Sequence, residues 1–310
     1  MKGRFAPSPS GRMHLGNVFC ALMAWLSCRA QNGTTLLRVE DLDPARCRPE
    51  YTEQLIRDLT WLGLDWDEGG DLPAYRQSER AAWYAECFAR LEAMGRTYSC
   101  FCSRSELHDA SAPHASDGTV IYSGNCRALS DAERAAKAAA RAPAQRLWVN
   151  GDPITFTDHV YGQMKSNLAE DCGDFILRRS DGVYAYQLAV VADDAAMGVT
   201  EVVRGHDLLF STPRQLLLYR LLGFMPPQFA HLPLLVAPDG KRLSKRERAF
   251  DVGALQASGI TAEQIIGMLA WMAGLTETAE PCTAKELVPI FDLRKITKQD
   301  IVVSENLFLA

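Results

Sequence analysis

Residues 2–43 place two short apolar runs on either side of a loop and a helix-length segment, and that order leaves few folds open. Lys2–Ala6 reads as a short buried strand, because Pro7 and Pro9 follow at once and cannot extend a backbone ladder. From Gly16 to Ala30, Val18, Leu22, Trp25 and Leu26 recur at helical spacing, and Asn32-Gly33 supplies the stop. Thr34–Asp43 is then expected as a second strand whose end carries carboxylates. Strand, glycine loop, helix, strand is a βαβ unit, and its right-handed crossover makes the two strands parallel neighbours. The spacing therefore predicts an α/β fold with a parallel sheet.

The rest of the chain is consistent with that frame. Ser78–Arg96 reads as a helix opened by Ser78 and Glu79 and closed at Met94-Gly95. Asp131–Arg141 is an alanine-rich helix, and Phe175–Asp194 consists of apolar runs broken by an Asp181-Gly182 turn. Thr200–Gly205 reads as a strand, and Ser211–Phe224 as a helix with Ser211 as candidate N-cap and Pro213 in its first turn. The chain has 310 residues, 47% of them hydrophobic and 23% charged, enough for two or three domains with full cores. A formal charge of −5 argues against bulk electrostatic binding of nucleic acid, although a local basic groove remains compatible with it. No apolar run of about 18 residues is present, which disfavours a membrane span. The N-terminus does not read as a signal peptide, and nine scattered cysteines do not read as a disulfide framework, so a reducing cytoplasm is expected.

Three stretches carry chemistry. In open parallel sheets ligands collect where strand ends lead into helices, and Pro7–Gly16 is such a loop. Its glycines permit close backbone approach, the helix start offers N–H groups and partial positive charge to an anion, and His14 is placed to donate to a phosphate. The second stretch, "PDGKRLSKRER" (238–248), turns at Asp239-Gly240 and then carries five basic residues within eight positions. Taken singly, the loop is also an ordinary tight turn and the basic run an ordinary solvated face. The third stretch holds Cys100, Cys102 and Cys126, which point to a structural Zn²⁺; free thiols packed as small hydrophobes are the alternative.

Together the first two stretches resemble the paired signatures of class I aminoacyl-tRNA synthetases. His14-Leu15-Gly16-Asn17 is similar to the "HIGH" motif, with Asn17 replacing its second histidine, and Arg242-Leu243-Ser244-Lys245-Arg246 is similar to "KMSKS", with Arg242 in place of its first lysine. "RFAPSPSGRMHLGN", "LLRVEDLD", "AYQLAVVADD" and "VTEVVRGHDLL" narrow the resemblance to the glutamyl branch, over nearly the whole chain. It implies a class I synthetase Rossmann-like sheet with an inserted zinc-containing subdomain of the acceptor type and a short helical C-terminal part. The expected division is 1–97 and 181–248 for the two halves of the catalytic domain, 98–180 for the insert and 249–310 for the helical part.

The resemblance also implies roles. His14, Gly16, Asn17, Leu243, Ser244 and Lys245 would form the ATP site, with His14 and Lys245 catalytic and Mg²⁺ screening the triphosphate. Arg4, Ser8, Glu40, Tyr186 and Arg204 would surround L-glutamate, each arginine being able to grip a carboxylate through two parallel hydrogen bonds. Val190 stands where full glutamyl enzymes carry an asparagine, so side-chain recognition is expected to be arranged differently. Tyr122 is implied as fourth metal ligand beside the three cysteines, with His108 and His114 the chemically more ordinary candidates. Little chain follows Lys245 to hold an anticodon-reading domain, which makes the chain similar to the stand-alone members that glutamylate queuosine in the anticodon stem-loop of tRNA(Asp). A truncated enzyme charging a tRNA 3′ end and a non-catalytic tRNA-binding protein remain as alternatives.

Overall fold

The first strand stops where its prolines require. The structure, a computed structural model, describes residues 1–103, 121–122, 124–241, 250–304 and 307–308. In it β1 is Lys2–Phe5, α1 is Leu15–Ala30 and β2 is Thr34–Leu37, with β1 and β2 parallel and in register from Lys2 opposite Thr34. The expected strand 34–43 is thus shorter. Beyond Leu37 the chain stays extended, Arg38 N–H donating to Phe5 O and Glu40 N–H to Pro7 O, but the facing prolines have no N–H to return.

Next come α2 (Pro49–Trp61), β3 (Glu68–Gly69), α3 (Ala81–Ala93) and β4 (Thr97–Cys100). α4 (Asp131–Ala140) carries a capping box from Ser130 and Glu133, which explains a stable helix with no buried residue. β5 (Ala144–Leu147), β6 (Ile154–Asp158), β7 (Gly162–Ser166), α5 (Leu168–Asp171) and β8 (Phe175–Arg178) complete the middle of the chain. Then follow α6 (Tyr186–Ala196), β9 (Glu201–Gly205), α7 (Thr212–Leu222), β10 (Gln228–Leu232) and β11 (Leu235–Val236). The described remainder holds α8 (Val252–Ala257), α9 (Ala262–Met272), α10 (Ala284–Leu287) and β12 (Ile301–Val302).

Seven strands form the main sheet in the order β3-β2-β1-β9-β10-β6-β7. All neighbours run parallel except the β6–β7 hairpin at one edge. Chain order reverses beside β1, whose neighbours are β2 and β9, and such a switch point leaves a crevice at the strand ends. β4, β5 and β8 form a separate antiparallel sheet, which carries the cysteine-rich stretch.

α1 is buried on nearly every face: Leu15, Val18, Leu22, Met23, Leu26 and Cys28 are all sealed, because it lies between the sheet and the C-terminal helices. Each such leucine contributes about 2 kcal/mol of burial, so a Leu22→Ala cavity would cost several kcal/mol.

Two expected helix starts are corrected. α3 begins at Ala81 after a 3₁₀ turn at Gln77–Glu79, because Gln77 is drawn to Asp193 (2.8 Å) and Ser78 gives both its N–H and hydroxyl to Asp41. α7 begins behind a 3₁₀ turn, so Ser211 has helical dihedrals and makes no side-chain cap; its Oγ accepts from Gln187 instead. Pro213 does lie in the first turn.

Candidate active site

The loop leaving β1 ends in a histidine that caps a helix. His14 is the N-cap of α1: its Nδ1 accepts from Gly16 N–H at 3.2 Å, and its own N–H donates to Asn17 Oδ1 at 3.3 Å. An imidazole whose Nδ1 accepts carries its proton on Nε2 in the neutral form, so the cap fixes the tautomer that can donate to an anion. The cap thus engages Gly16 N–H at the start of the helix. Met13 O accepts from Val252 N–H (3.0 Å), which ties the histidine loop to the start of α8.

One cavity of about 630 Å³ opens at the switch point and is lined by Arg4, Ser8, His14, Gly16, Asn17, Glu40, Tyr186 and Arg204, among others. Every described residue expected around ATP or glutamate lies on it. Leu243, Ser244 and Lys245, with Arg242 and Arg246, fall outside the described residues, as do His108 and His114.

Arg4 projects from β1 and is buried; its Nε has no hydrogen-bond partner among the described residues, the nearest anion being Asp194 at 3.6 Å. The Arg4 side chain thus places a cation, ion-paired with Asp194, on the wall of the cavity. Glu40, also buried, leans on Arg38 Nη2 at 3.0 Å. Burial pushes its carboxyl above the ordinary range, while Arg38 and Arg4 pull it down. Beneath them, Arg38 is fully enclosed. Burial alone would weaken its charge, but Asp194 (2.6 Å), Glu40 and Asp193 hold it strongly protonated. Asp193 in turn accepts from Gln77, Arg80 and the Tyr84 hydroxyl. Sequence reasoning missed this floor of Arg38, Asp193 and Asp194, although the last two stand in the quoted stretch 185–194.

Arg204, on β9, is engaged by its own neighbours. Its Nε donates to His231 Nε2 (3.1 Å), and its Nη2 donates to Thr212 Oγ1 (2.8 Å) and Gln215 Oε1 (2.9 Å). Nη2 also donates to Leu208 O (3.4 Å), and Nη1 lies 3.5 Å from the hydroxyl of Tyr186, at the start of α6, which lines the same cavity. The guanidinium is thus pinned by His231, Thr212 and Gln215, with Nη1 as the nitrogen those three do not engage. Val190 lies one turn beyond Tyr186 and is sealed in the apolar core.

In the smaller sheet, the sulfurs of Cys100, Cys102 and Cys126 lie within 4.8 Å of one another. The Tyr122 hydroxyl sits 3.4 Å from Cys100 Sγ and 3.8 Å from Cys102 Sγ. Tetrahedral zinc thiolates place sulfurs about 3.8 Å apart for bonds of about 2.3 Å, so this donor set fits one such ion. Tyr122 is held by a parallel bridge to Gly173, where an added Cβ would stand 2.2 Å from Tyr122 O and φ is +65°. The Arg146 guanidinium lies 3.8 Å over the Tyr122 ring.

The switch-point cavity is reached by a histidine-capped helix, and Arg4 of β1, Glu40 after β2, Tyr186 of α6 and Arg204 of β9 converge on it. The model for the catalytic domain of class I tRNA synthetases (E and Q) matches residues 1–307, and the chain belongs to that family. Within it, the chain is 50% identical over 307 residues to the glutamyl-Q tRNA(Asp) synthetase of Symbiobacterium thermophilum, covering 96% of this chain and 94% of that protein. It is 46% identical over 315 residues to the glutamyl-Q tRNA(Asp) synthetase of Nitratidesulfovibrio vulgaris, covering 99% and 97%. Among solved structures, a glutamate tRNA ligase from Elizabethkingia meningosepticum in complex with its amino acid matches with a TM-score of 0.82 at 28% identity, over 99% of this chain and 68% of that one. Among the described residues no helix is long and apolar enough to cross a membrane.

Proposed function

We propose that the protein activates L-glutamate with ATP and transfers it to queuosine at the wobble position of tRNA(Asp). One observation carries the activation half: Arg4, buried Glu40, Tyr186 and Arg204 line one cavity that His14 and the start of its helix also line. The identities to two glutamyl-Q tRNA(Asp) synthetases support the acceptor.

In activation a glutamate α-carboxylate oxygen attacks the α-phosphorus of ATP. A P–O bond forms, and the bond to pyrophosphate breaks with its electron pair leaving on pyrophosphate. Both reactants are anions, so positioning and fixed positive charge supply the catalysis and no protein nucleophile is needed. Glu40 takes the ammonium, Arg4 and Arg204 Nη1 take carboxylates, and Ser8 and Tyr186 close the pocket. His14 Nε2–H and the adjoining turn at Gly16 and Asn17 meet the phosphates, while Leu243, Ser244 and Lys245 complete the ATP site. Mg²⁺ accompanying ATP supplies charge screening. In transfer, a queuosine hydroxyl oxygen bonds to the glutamyl carbonyl carbon, and AMP leaves, its phosphate accepting the hydroxyl proton. Cys100, Cys102, Tyr122 and Cys126 hold one structural Zn²⁺. The domain division at 97, 180 and 248 would frame this scheme, with β6 and β7 of the middle segment joining the main sheet, and nine cysteines outside any disulfide fit a cytoplasmic location.

The test supplies ATP and radiolabelled glutamate with queuosine-containing tRNA(Asp), the same tRNA carrying guanosine at the wobble position, and tRNA(Glu). Label is expected on the first alone. Equal labelling of the first two, or stable label on the 3′ adenosine of tRNA(Glu), would replace this reading with a 3′-charging enzyme.

A further inference from the structure

We propose that Asp158 and His231 are positioning residues for glutamate recognition, fixing through a buried hydrogen-bond chain which edge of Arg204 faces the cavity. This rests on the reading of Arg204 as a glutamate contact. The chain runs across three adjacent parallel strands. Register sets His231 of β10 beside Arg204 of β9, and β6, which ends in Asp158, pairs along the other side of β10. His231 and Asp158 are essentially sealed from solvent (0% and 1% exposed), and Arg204 is 5% exposed.

The direction of each bond follows from burial. Burial first, then the charges of Arg204 and Arg4, push His231 down to about 4, so the ring is neutral near pH 7. Asp158 is held below the ordinary carboxyl range: against burial, His231 and two backbone N–H groups stabilise its charge. A carboxylate only accepts, so at 2.6 Å from His231 Nδ1 it fixes the proton there. Nε2 is then a lone pair, and it accepts from Arg204 Nε at 3.1 Å. The Thr212 hydroxyl, 3.2 Å from Nε2, receives Nη2 of the same arginine. Were the tautomer reversed, an N–H would face the Arg204 Nε–H and the guanidinium would have to turn.

Asp158 offers a near-isosteric way to reverse it. Its Oδ1 accepts from three backbone N–H groups, of Val160 (3.0 Å), Tyr161 (2.9 Å) and His231 (3.3 Å). In Asp158→Asn those donors keep the amide oxygen at that position, so the amide NH₂ must face Nδ1 and the proton moves to Nε2. His231→Gln, by contrast, puts an amide oxygen near the Nε2 position and restores an acceptor without regard to residue 158.

The experiment measures glutamate-dependent pyrophosphate exchange. Asp158→Asn is expected to raise the glutamate KM about tenfold or more, the worth of one hydrogen bond to a charged group, with the ATP KM within about twofold. Adding His231→Gln to that variant is expected to return the glutamate KM most of the way to the starting value. An unchanged glutamate KM in Asp158→Asn, an equal rise in both KM values, or no recovery in the double variant would overturn the proposal. Should Asp158→Asn not fold, His231→Leu against His231→Gln gives the same contrast, and equal glutamate KM values would overturn it. Arg204→Gln separates the two claims. A silent Arg204→Gln removes the glutamate-contact reading itself, whereas a raised KM there beside a silent Asp158→Asn removes only the relay.

Discussion

His14 does two jobs with two nitrogens, and they can be separated. Nδ1 caps α1, and the neutral ring then carries its proton on Nε2. Asparagine also caps helices well, so His14→Asn should hold stability within about 0.5 kcal/mol of the parent while removing the donor. Pyrophosphate exchange is then expected to fall about 10²–10³-fold, the usual cost of one positioned transition-state donor. Thermal melts alongside exchange rates check this, and a parallel loss of both would assign His14 to structure alone. His231 makes a different prediction. Burial holds it down to about 4, whereas the unfolded chain protonates it near 6.5. Between those values the unfolded state binds the extra proton, so stability falls as pH drops through the window, by about 3 kcal/mol in order of magnitude. His231→Gln should flatten that slope in urea melts at pH 7 and pH 4.5; an unchanged slope would count against a neutral buried ring. The two histidines also differ in legibility. His14 stands in a loop of prolines and glycines that states its chemistry locally. His231 stands in "QFAHL", an apolar strand, 73 residues from Asp158, and nothing in the linear pattern joins them.

At the scale of elements, local signals worked where the partner was near in sequence. The βαβ unit, the alanine-rich helix from Asp131 and the Asp181-Gly182 turn were readable because their hydrogen bonds close within a few residues or one crossover. The starts of α3 and α7 were not, because Asp41, Asp193 and Gln187 compete for the capping side chains from distant elements. The cysteine-bearing sheet shows both cases. Cys100 and Cys102 announce themselves by spacing, but Tyr122 owes its place to Gly173 on the strand-side loop before β8. A methyl group at Gly173 would collide with the Tyr122 carbonyl, so Gly173→Ala should displace that side chain while sparing all three sulfurs. One zinc per chain is expected in the parent by metal analysis, and faster loss of zinc to a chelator in Gly173→Ala. Retention equal to the parent would remove Tyr122 from the ligand set.

The whole molecule was legible as a class and not as a map. Residue order foretold parallel strands, but adjacency in the sheet depends on which edge each later strand takes, and no local pattern encodes that. The cavity makes the point: its walls at positions 4, 40, 186 and 204 meet only because β9 docks against the open side of β1, with Gly3 opposite Glu201. That docking has a cost in time. At synthesis rates of about 5–20 residues per second, β1 and α1 leave the ribosome roughly 10–40 s before β9 exists to cover them. For that interval the β9-facing edge of β1 is unpaired and α1 has only β1 and β2 of its native neighbours, and pairing across so long a separation is intrinsically slow even after release. The crossing that creates the pocket therefore leaves the β9-facing edge of the first strand uncovered until translation passes the second half of the sheet.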